Sequence, residues 1–186
     1  FRGGLESTPF DDNFFDVIIM SDVLEHVDSE RRALDEMYRI LKPGGTFIVS
    51  TPHTGLFQWL DPYNYGYGLR RFAPALYQLA YRIKHGHTPD SSAEGPPKHR
   101  HYSLSDFRRM LDTSRFGAGY HIDRVFRSSL LLEPLAINAE VLSEALLGRN
   151  RLASLLKPLT ALGELDYRTP FGPFAFNIAL RLVKTL

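Results

Sequence analysis

The chain has 186 residues, 44% of them hydrophobic, so it can bury a substantial core and fits one domain or a large piece of one. Its 22 basic and 21 acidic residues leave a formal net charge of +1, which supplies no long-range field for a phosphate backbone, and no nucleic-acid partner is expected. The absence of cysteine excludes disulfides, thiolate zinc sites and cysteine nucleophiles, and it fits a reducing, cytoplasmic setting.

The opening stretch FRGGLESTPFDD carries neither the charged nor the apolar region of a signal peptide and has no initiator methionine. The chain is therefore expected to begin inside a longer protein. A membrane-spanning helix needs about 18 or more uninterrupted apolar residues, and no such run occurs.

FFDVIIM, residues 14–20, is short, apolar and rich in β-branched side chains, which predicts a parallel strand buried on both faces. After it Asp28 or Ser29 can cap a helix. Arg32 follows Ser29 at three residues, so no capping box is expected, while Leu34, Met37, Tyr38 and Leu41 recur at helical spacing. The KPGG stretch, residues 42–45, stops that helix, and residues 46–52 read as the next strand. Strand, helix and strand together predict a right-handed βαβ unit, the building block of an α/β sheet.

Composition changes at His53. A segment of about fifty residues follows, aromatic and interrupted by glycine and proline, with one helix near residues 73–82; an insertion of that length between sheet elements predicts a functional lid. Phe57, Trp59, Tyr63, Tyr65 and Tyr67 suit a cover over an apolar ligand, with ordinary core packing as the alternative. SLSDFRRMLDTSRFG predicts a helix with Ser103 at its N-cap and Asp106 at N3, ending at Gly117. YHIDRVFRS alternates as a half-exposed strand, residues 130–147 and 152–162 read as two apolar-faced helices separated by GRN, and residues 174–183 alternate as a closing strand. The leucine-rich faces at 130–162 suit a lipid pocket or peripheral membrane contact, although such faces are more often buried against a core.

Three blocks, ESTPFDDNFFDVIIMSDVLEHV, ALDEMYRILKPGGTFIVSTP and HRHYSLSDFRRMLDTSRFG, resemble in order and spacing the class I S-adenosylmethionine-dependent methyltransferases of the small-molecule, lipid or quinone type. The resemblance implies an α/β, Rossmann-like sheet with helices on both faces, S-adenosylmethionine as cofactor, and ligands at the carboxyl ends of the strands. It covers roughly the last two-thirds of a typical member. The first three strands, the Gly-rich loop and the acidic ribose ligand are not found, so residues 1–186 read as the C-terminal portion of one domain, with a lid-like insertion at 54–102 and a helical insertion at 130–165. Without its neighbour, the strand at 15–20 becomes an exposed edge, which predicts first that these residues are part of a longer chain and second a homodimer paired through that edge.

By the same resemblance, Gly4, Leu5 and Glu6 stand at the adenine loop, with Gly4 where an aspartate is common. Ser21, Asp22, Leu24 and His26 belong to the wall around the methionine end of the cofactor. Glu25 and His26 are expected to shape the pocket rather than transfer protons. His53, His99 and His101 are the candidate catalytic bases, the last two flanking Arg100, with Lys98 where similar enzymes place a histidine. No residue set has the spacing of a zinc site, so no metal centre is expected.

The implied function is methyl transfer to a small, apolar or glycolipid-like acceptor, and activity of this chain alone is not expected. Because the displacement occurs at a sulfonium carbon, alignment matters most, and a base is needed only if the acceptor must lose a proton. The rival is a non-catalytic, methyltransferase-like module for dimerisation or membrane contact. A nucleotide-binding dehydrogenase is disfavoured by the LEHV and LKPGG blocks.

Overall fold

A computed structural model of the chain describes residues 3–88, 98–147 and 153–185. The GRN break and part of the 54–102 insertion lie outside these residues.

Strand β1 (Phe15–Ser21), helix α1 (Glu30–Ile40) and strand β2 (Leu41–Pro52) form the expected unit, with β1 and β2 parallel. Ser29 is the N-cap of α1, its hydroxyl accepting from the Arg32 backbone N–H. The other half of the cap comes from far upstream: the Ser29 N–H donates to Glu6 Oε1 at 2.8 Å, and Arg32 pairs with Glu6 Oε2 at 3.3 Å. Ala33, Leu34, Met37 and Ile40 lie on one buried stripe of α1, as three- and four-residue spacing requires.

The helix ends as predicted, yet β2 begins five residues early. Phe15 pairs with Leu41 and Val17 with Thr46, so KPGG bulges out of the ladder. Gly44 holds φ +75°, and a Cβ on Gly45 would lie 2.7 Å from the Lys42 carbonyl oxygen, which explains both glycines.

The insertion carries two helices where one was expected, α2 (Tyr63–Phe72) and α3 (Pro74–His85), broken at Ala73 because Pro74 disfavours α conformation in the residue before it. Helix α4 (Leu104–Thr113) starts at a full capping box of Ser103 and Asp106. Strand β3 (Tyr120–Ser128) follows, then helices α5 (Leu132–Leu147) and α6 (Ala153–Arg168), and strand β4 (Asn177–Lys184) closes the chain. Helix α6 runs beyond the predicted end at 162. Strand β4 starts later than predicted because residues 172–174 form a 3-10 turn on Gly172, φ +58°.

The described sheet has the order β1-β2-β4-β3, with β4 antiparallel to both of its neighbours. One face, including Met20, Phe47, Val49, Leu180 and Leu182, is sealed by Leu34, Met37, Phe107, Leu111 and Phe116 from the α1 and α4 side. Truncating one of these leucines or phenylalanines to alanine costs about 2–5 kcal/mol. The other face is open over β1, where Val17 is 52% and Ile19 69% exposed, in contrast to the two-sided burial predicted for that strand.

Two buried polar residues lock the periphery. Lys184, 4% exposed, donates to Asn13 Oδ1 and to the carbonyls of Tyr38 and Leu41, joining the end of β4 to the C-terminus of α1. Asp166 on α6 accepts through Oδ2 from the backbone N–H groups of Leu130, Leu131 and Glu133 and from Ser129 Oγ. It therefore caps α5 from across the helix pair.

Candidate active site

At the carboxyl ends of β1 and β2 lies a cavity of about 300 Å³. Its wall includes Asp22, Glu25, His26, Asp61, His99 and Glu133, with Tyr63 and Tyr167 as aromatic members. Among the described residues, neither Lys nor Arg lines it.

Asp22 leaves β1 with φ +51°, a left-handed conformation that is costly for a side chain bearing a Cβ and recurrent at functional sites. Its N–H donates to the Ser50 carbonyl at 3.0 Å, its carboxylate accepts from Ser21 Oγ, and Ser21 and Ser50 hydroxyls meet at 2.9 Å across the parallel pair. The next turn, Leu24–His26, is a single 3-10 turn. Arg100 clamps it: Nε donates to the Glu25 carbonyl at 3.1 Å, Nη2 to the Val27 carbonyl, and Nη1 to Glu30 Oε1 at 2.5 Å.

Glu25 is 3% exposed, and neither of its carboxylate oxygens has a hydrogen-bond partner among the described residues. Burial pushes its carboxyl up to about 6. Its Oε1 lies 3.6 Å from His99 Nε2.

On its other side His99 donates from Nδ1 to Asp61 Oδ2 at 2.6 Å, and His101 Nε2 donates to the same oxygen at 2.7 Å. Burial works against the Asp61 charge, but the bonds from His101 and His99 outweigh it and hold the carboxyl below its ordinary range. Asp61 is itself fixed by the turn that opens α2, accepting from the Tyr63 N–H at 2.9 Å, and Asn64 clamps the His99 backbone from both sides. An imidazole bonded this way presents its Nε2 lone pair on the side opposite the carboxylate. For His99 that side is the Glu25 side.

Several residues expected at the site lie elsewhere. Gly4, Leu5 and Glu6 do not line the cavity, and Glu6 is engaged at both oxygens by the start of α1. Leu24 is fully buried in the core cluster. His53 does not reach the cavity: its Nδ1 bonds the Ala175 carbonyl at 3.0 Å, and burial lowers its pKa. His101 sits behind Asp61 and hydrogen-bonds the His53 carbonyl at 3.2 Å. Of the histidine candidates, His99 and His26 reach the cavity wall, with rings 4.9 Å apart. Asp61, Glu133, Tyr167 and Asn177 were not foreseen.

The cavity continues into a groove of about 440 Å³ between α5 and α6, with which it shares Glu133, Ile137 and Tyr167.

Comparison with known proteins finds likenesses among methyltransferases. Residues 1–49 match the Methyltransferase domain family. Ubiquinone/menaquinone biosynthesis C-methyltransferase UbiE of Yersinia pestis is 50% identical over 48 residues, 26% of this chain and 19% of that protein. UbiE of Geobacter sulfurreducens is 29% identical over 125 residues, 65% of this chain and 45% of the relative. Over these residues the chain is similar to class I S-adenosylmethionine-dependent methyltransferases. It spans less than half the length of these curated methyltransferases. A SAM-dependent methyltransferase from Thermotoga maritima shares the fold with a TM-score of 0.54 at 18% identity, over 99% of this chain and 62% of the other. The [4+2]-cyclase SpnF shares it with a TM-score of 0.52 at 19% identity, over 99% and 56%. A methyltransferase fold thus hosts another reaction as well, and function has to be argued from the site.

Proposed function

We propose that this chain serves methyl transfer from S-adenosylmethionine to an acceptor seated in the cavity at the ends of β1 and β2. The observation that carries the reading is the isolated Glu25 carboxylate beside His99 Nε2, with His99 held from behind by Asp61. The cofactor, when bound, supplies an electrophilic methyl on a sulfonium.

The residues present fit the amino-acid end of such a cofactor. Asp22, strained outward at the end of β1, offers a carboxylate to an ammonium group, and Ser21 and Ser50 brace it. Glu6 does not fit the adenine role, because helix α1 already engages both its oxygens.

Glu25 and His99 act on the acceptor. A carboxyl raised to about 6 is poised to exchange a proton near neutral pH, and an imidazole backed by a carboxylate keeps one ring orientation for the same task. Asp61, Arg100 and His101 are positioning residues. The α5–α6 groove offers room for an apolar portion of the acceptor, which favours a lipid- or quinone-like molecule, the class named in the UbiE relatives. The position of β1 at the edge of the described sheet, with Val17 and Ile19 exposed on its face, supports, as a secondary element of the proposal, pairing of two copies through β1.

The test is calorimetric titration of S-adenosylhomocysteine into the 186-residue chain and its Asp22→Ala variant. One-to-one binding that weakens at least tenfold in the variant is expected, tenfold being about 1.4 kcal/mol. Absence of binding to the parent chain overturns the cofactor reading for this chain.

A further inference from the structure

We propose that Glu25, His26 and His99 form a binding site for a divalent first-row transition metal on the cavity wall. One ligand-capable atom from each of the three lies within 4.8 Å of the other two. Two imidazoles and one carboxylate on one side of an open cavity are a donor set suited to zinc, iron(II), cobalt or manganese, with the remaining positions free for water or ligand.

Four observations converge on the site. Glu25 is a buried carboxylate whose two oxygens have no hydrogen-bond partner among the described residues, a costly arrangement that a cation would relieve. Its Oε1 stands 3.6 Å from His99 Nε2, close to the roughly 3.3 Å edge between two ligand atoms that sit about 2.0–2.1 Å from a tetrahedral zinc. The other nitrogen of His99 is bonded to Asp61 at 2.6 Å, the outer carboxylate that fixes the tautomer and orientation of a metal-ligating histidine. Finally, Asp22, Glu25, Asp61 and Glu133 line the cavity and no Lys or Arg among the described residues does; Arg100, behind the turn, is paired with Glu30, so the wall is acidic on balance and draws cations.

A neighbouring trio, Asp61, His99 and His101, also brings its ligand atoms within 4.8 Å of one another. There, however, one oxygen stands only 2.6 and 2.7 Å from the two imidazole nitrogens, which is hydrogen-bond spacing and too tight for atoms sharing a metal sphere. That trio is the support, and the Glu25 trio is the site. Metal binding itself does not depend on methyl transfer; with a metal bound, Glu25 and His99 would serve as ligands, and the proton exchange assigned to them above would pass to a metal-bound water facing the acceptor.

The test uses cobalt(II) as probe. The 186-residue chain, stripped with chelator, is titrated with Co²⁺ and followed by visible absorption and calorimetry, with circular dichroism as the control for folding. One ion per chain is expected, displaced by Zn²⁺. Glu25→Gln, which preserves shape and removes the charge, should weaken binding by a hundredfold or more, and Asp61→Asn by about 10- to 100-fold as an outer-shell partner. His121→Gln, at an exposed position of β3 outside the site, should leave affinity within about threefold, a change of under 1 kcal/mol. Absence of one-to-one Co²⁺ binding to the parent overturns the proposal, as does affinity unaltered in Glu25→Gln or lost in His121→Gln but kept in Glu25→Gln. None of these readouts involves S-adenosylhomocysteine, so failure here is separable from failure of the methyl-transfer reading.

Discussion

Replacing Glu25 by glutamine should stabilise the metal-free protein, and only above a defined pH. In the fold this carboxyl titrates at about 6 rather than 4.5, because burial disfavours its charged form. Between these two values the folded state binds more protons than the unfolded state. Stability therefore falls as pH rises through the window and stays at its lower level above pH 6. The shift is worth about 2 kcal/mol at 1.36 kcal/mol per pKa unit. Glutamine has no such titration, so the variant should exceed the parent by about 2 kcal/mol at pH 8, with that pH-dependent gain gone at pH 4. Urea unfolding followed by circular dichroism in chelator, at pH 4, 5, 6 and 8, measures this directly. Saturating Co²⁺ should then reverse the order, since a ligand at 100 times its Kd adds about 2.7 kcal/mol to the parent alone. A stability difference that is constant from pH 4 to 8, or a variant less stable than the parent at pH 8, would refute the claim that Glu25 is an uncompensated buried charge.

Two further outcomes follow from the buried polar locks. Asp166→Ala leaves three backbone N–H groups at the start of α5 without their acceptor and should cost about 1–3 kcal/mol in urea unfolding, with hydrogen exchange rising first across residues 130–137. Lys184→Met keeps the aliphatic stem but strips the carbonyls of Tyr38 and Leu41 of their donor; a loss of about 2 kcal/mol is expected, and a neutral result would mean that water satisfies those carbonyls equally well.

The part of the fold that was legible is the part governed by local rules. The βαβ unit at 15–52 follows from one apolar run, one helical stripe and one Pro-Gly-Gly stop, each acting within a few residues. The Ser103–Asp106 capping box is visible for the same reason. What escaped depends on pairings across the chain. The position of KPGG inside a bulge of β2 is set by register against β1, which no helix-stop signal contains. The cap on α1 is completed by Glu6 and that on α5 by Asp166, residues 23 and more than 30 positions away. Deep burial of β1 on both faces was predicted from composition alone, and composition does not say whether a second face is covered by the residues at hand.

The site divides in the same way. Asp22 and His26 reach the cavity, as the position of their block after a central strand implies. His53 has the same local credentials but does not line the cavity, because the segment before β4 approaches from the far end of the chain and the Ala175 carbonyl bonds its ring. Asp61 carried one unread signal: in DPYN an aspartate before proline commonly accepts from the backbone two residues on, and here it does so at 2.9 Å from the Tyr63 N–H. A second lay in the spacing of His99 and His101, since residues two apart in extended chain share a side and can share one acceptor. Joined, these signals place a fixed carboxylate behind a histidine. The missing third element is the emptiness around Glu25, a property of three-dimensional packing with no counterpart in spacing or composition. A glutamate in an LEH turn reads as an ordinary pocket-shaping residue until the 1–3 kcal/mol penalty of burying a polar group without a partner is counted. Chains that carry the same turn but offer that glutamate a hydrogen-bond donor should neither bind Co²⁺ nor gain stability from glutamine at this position.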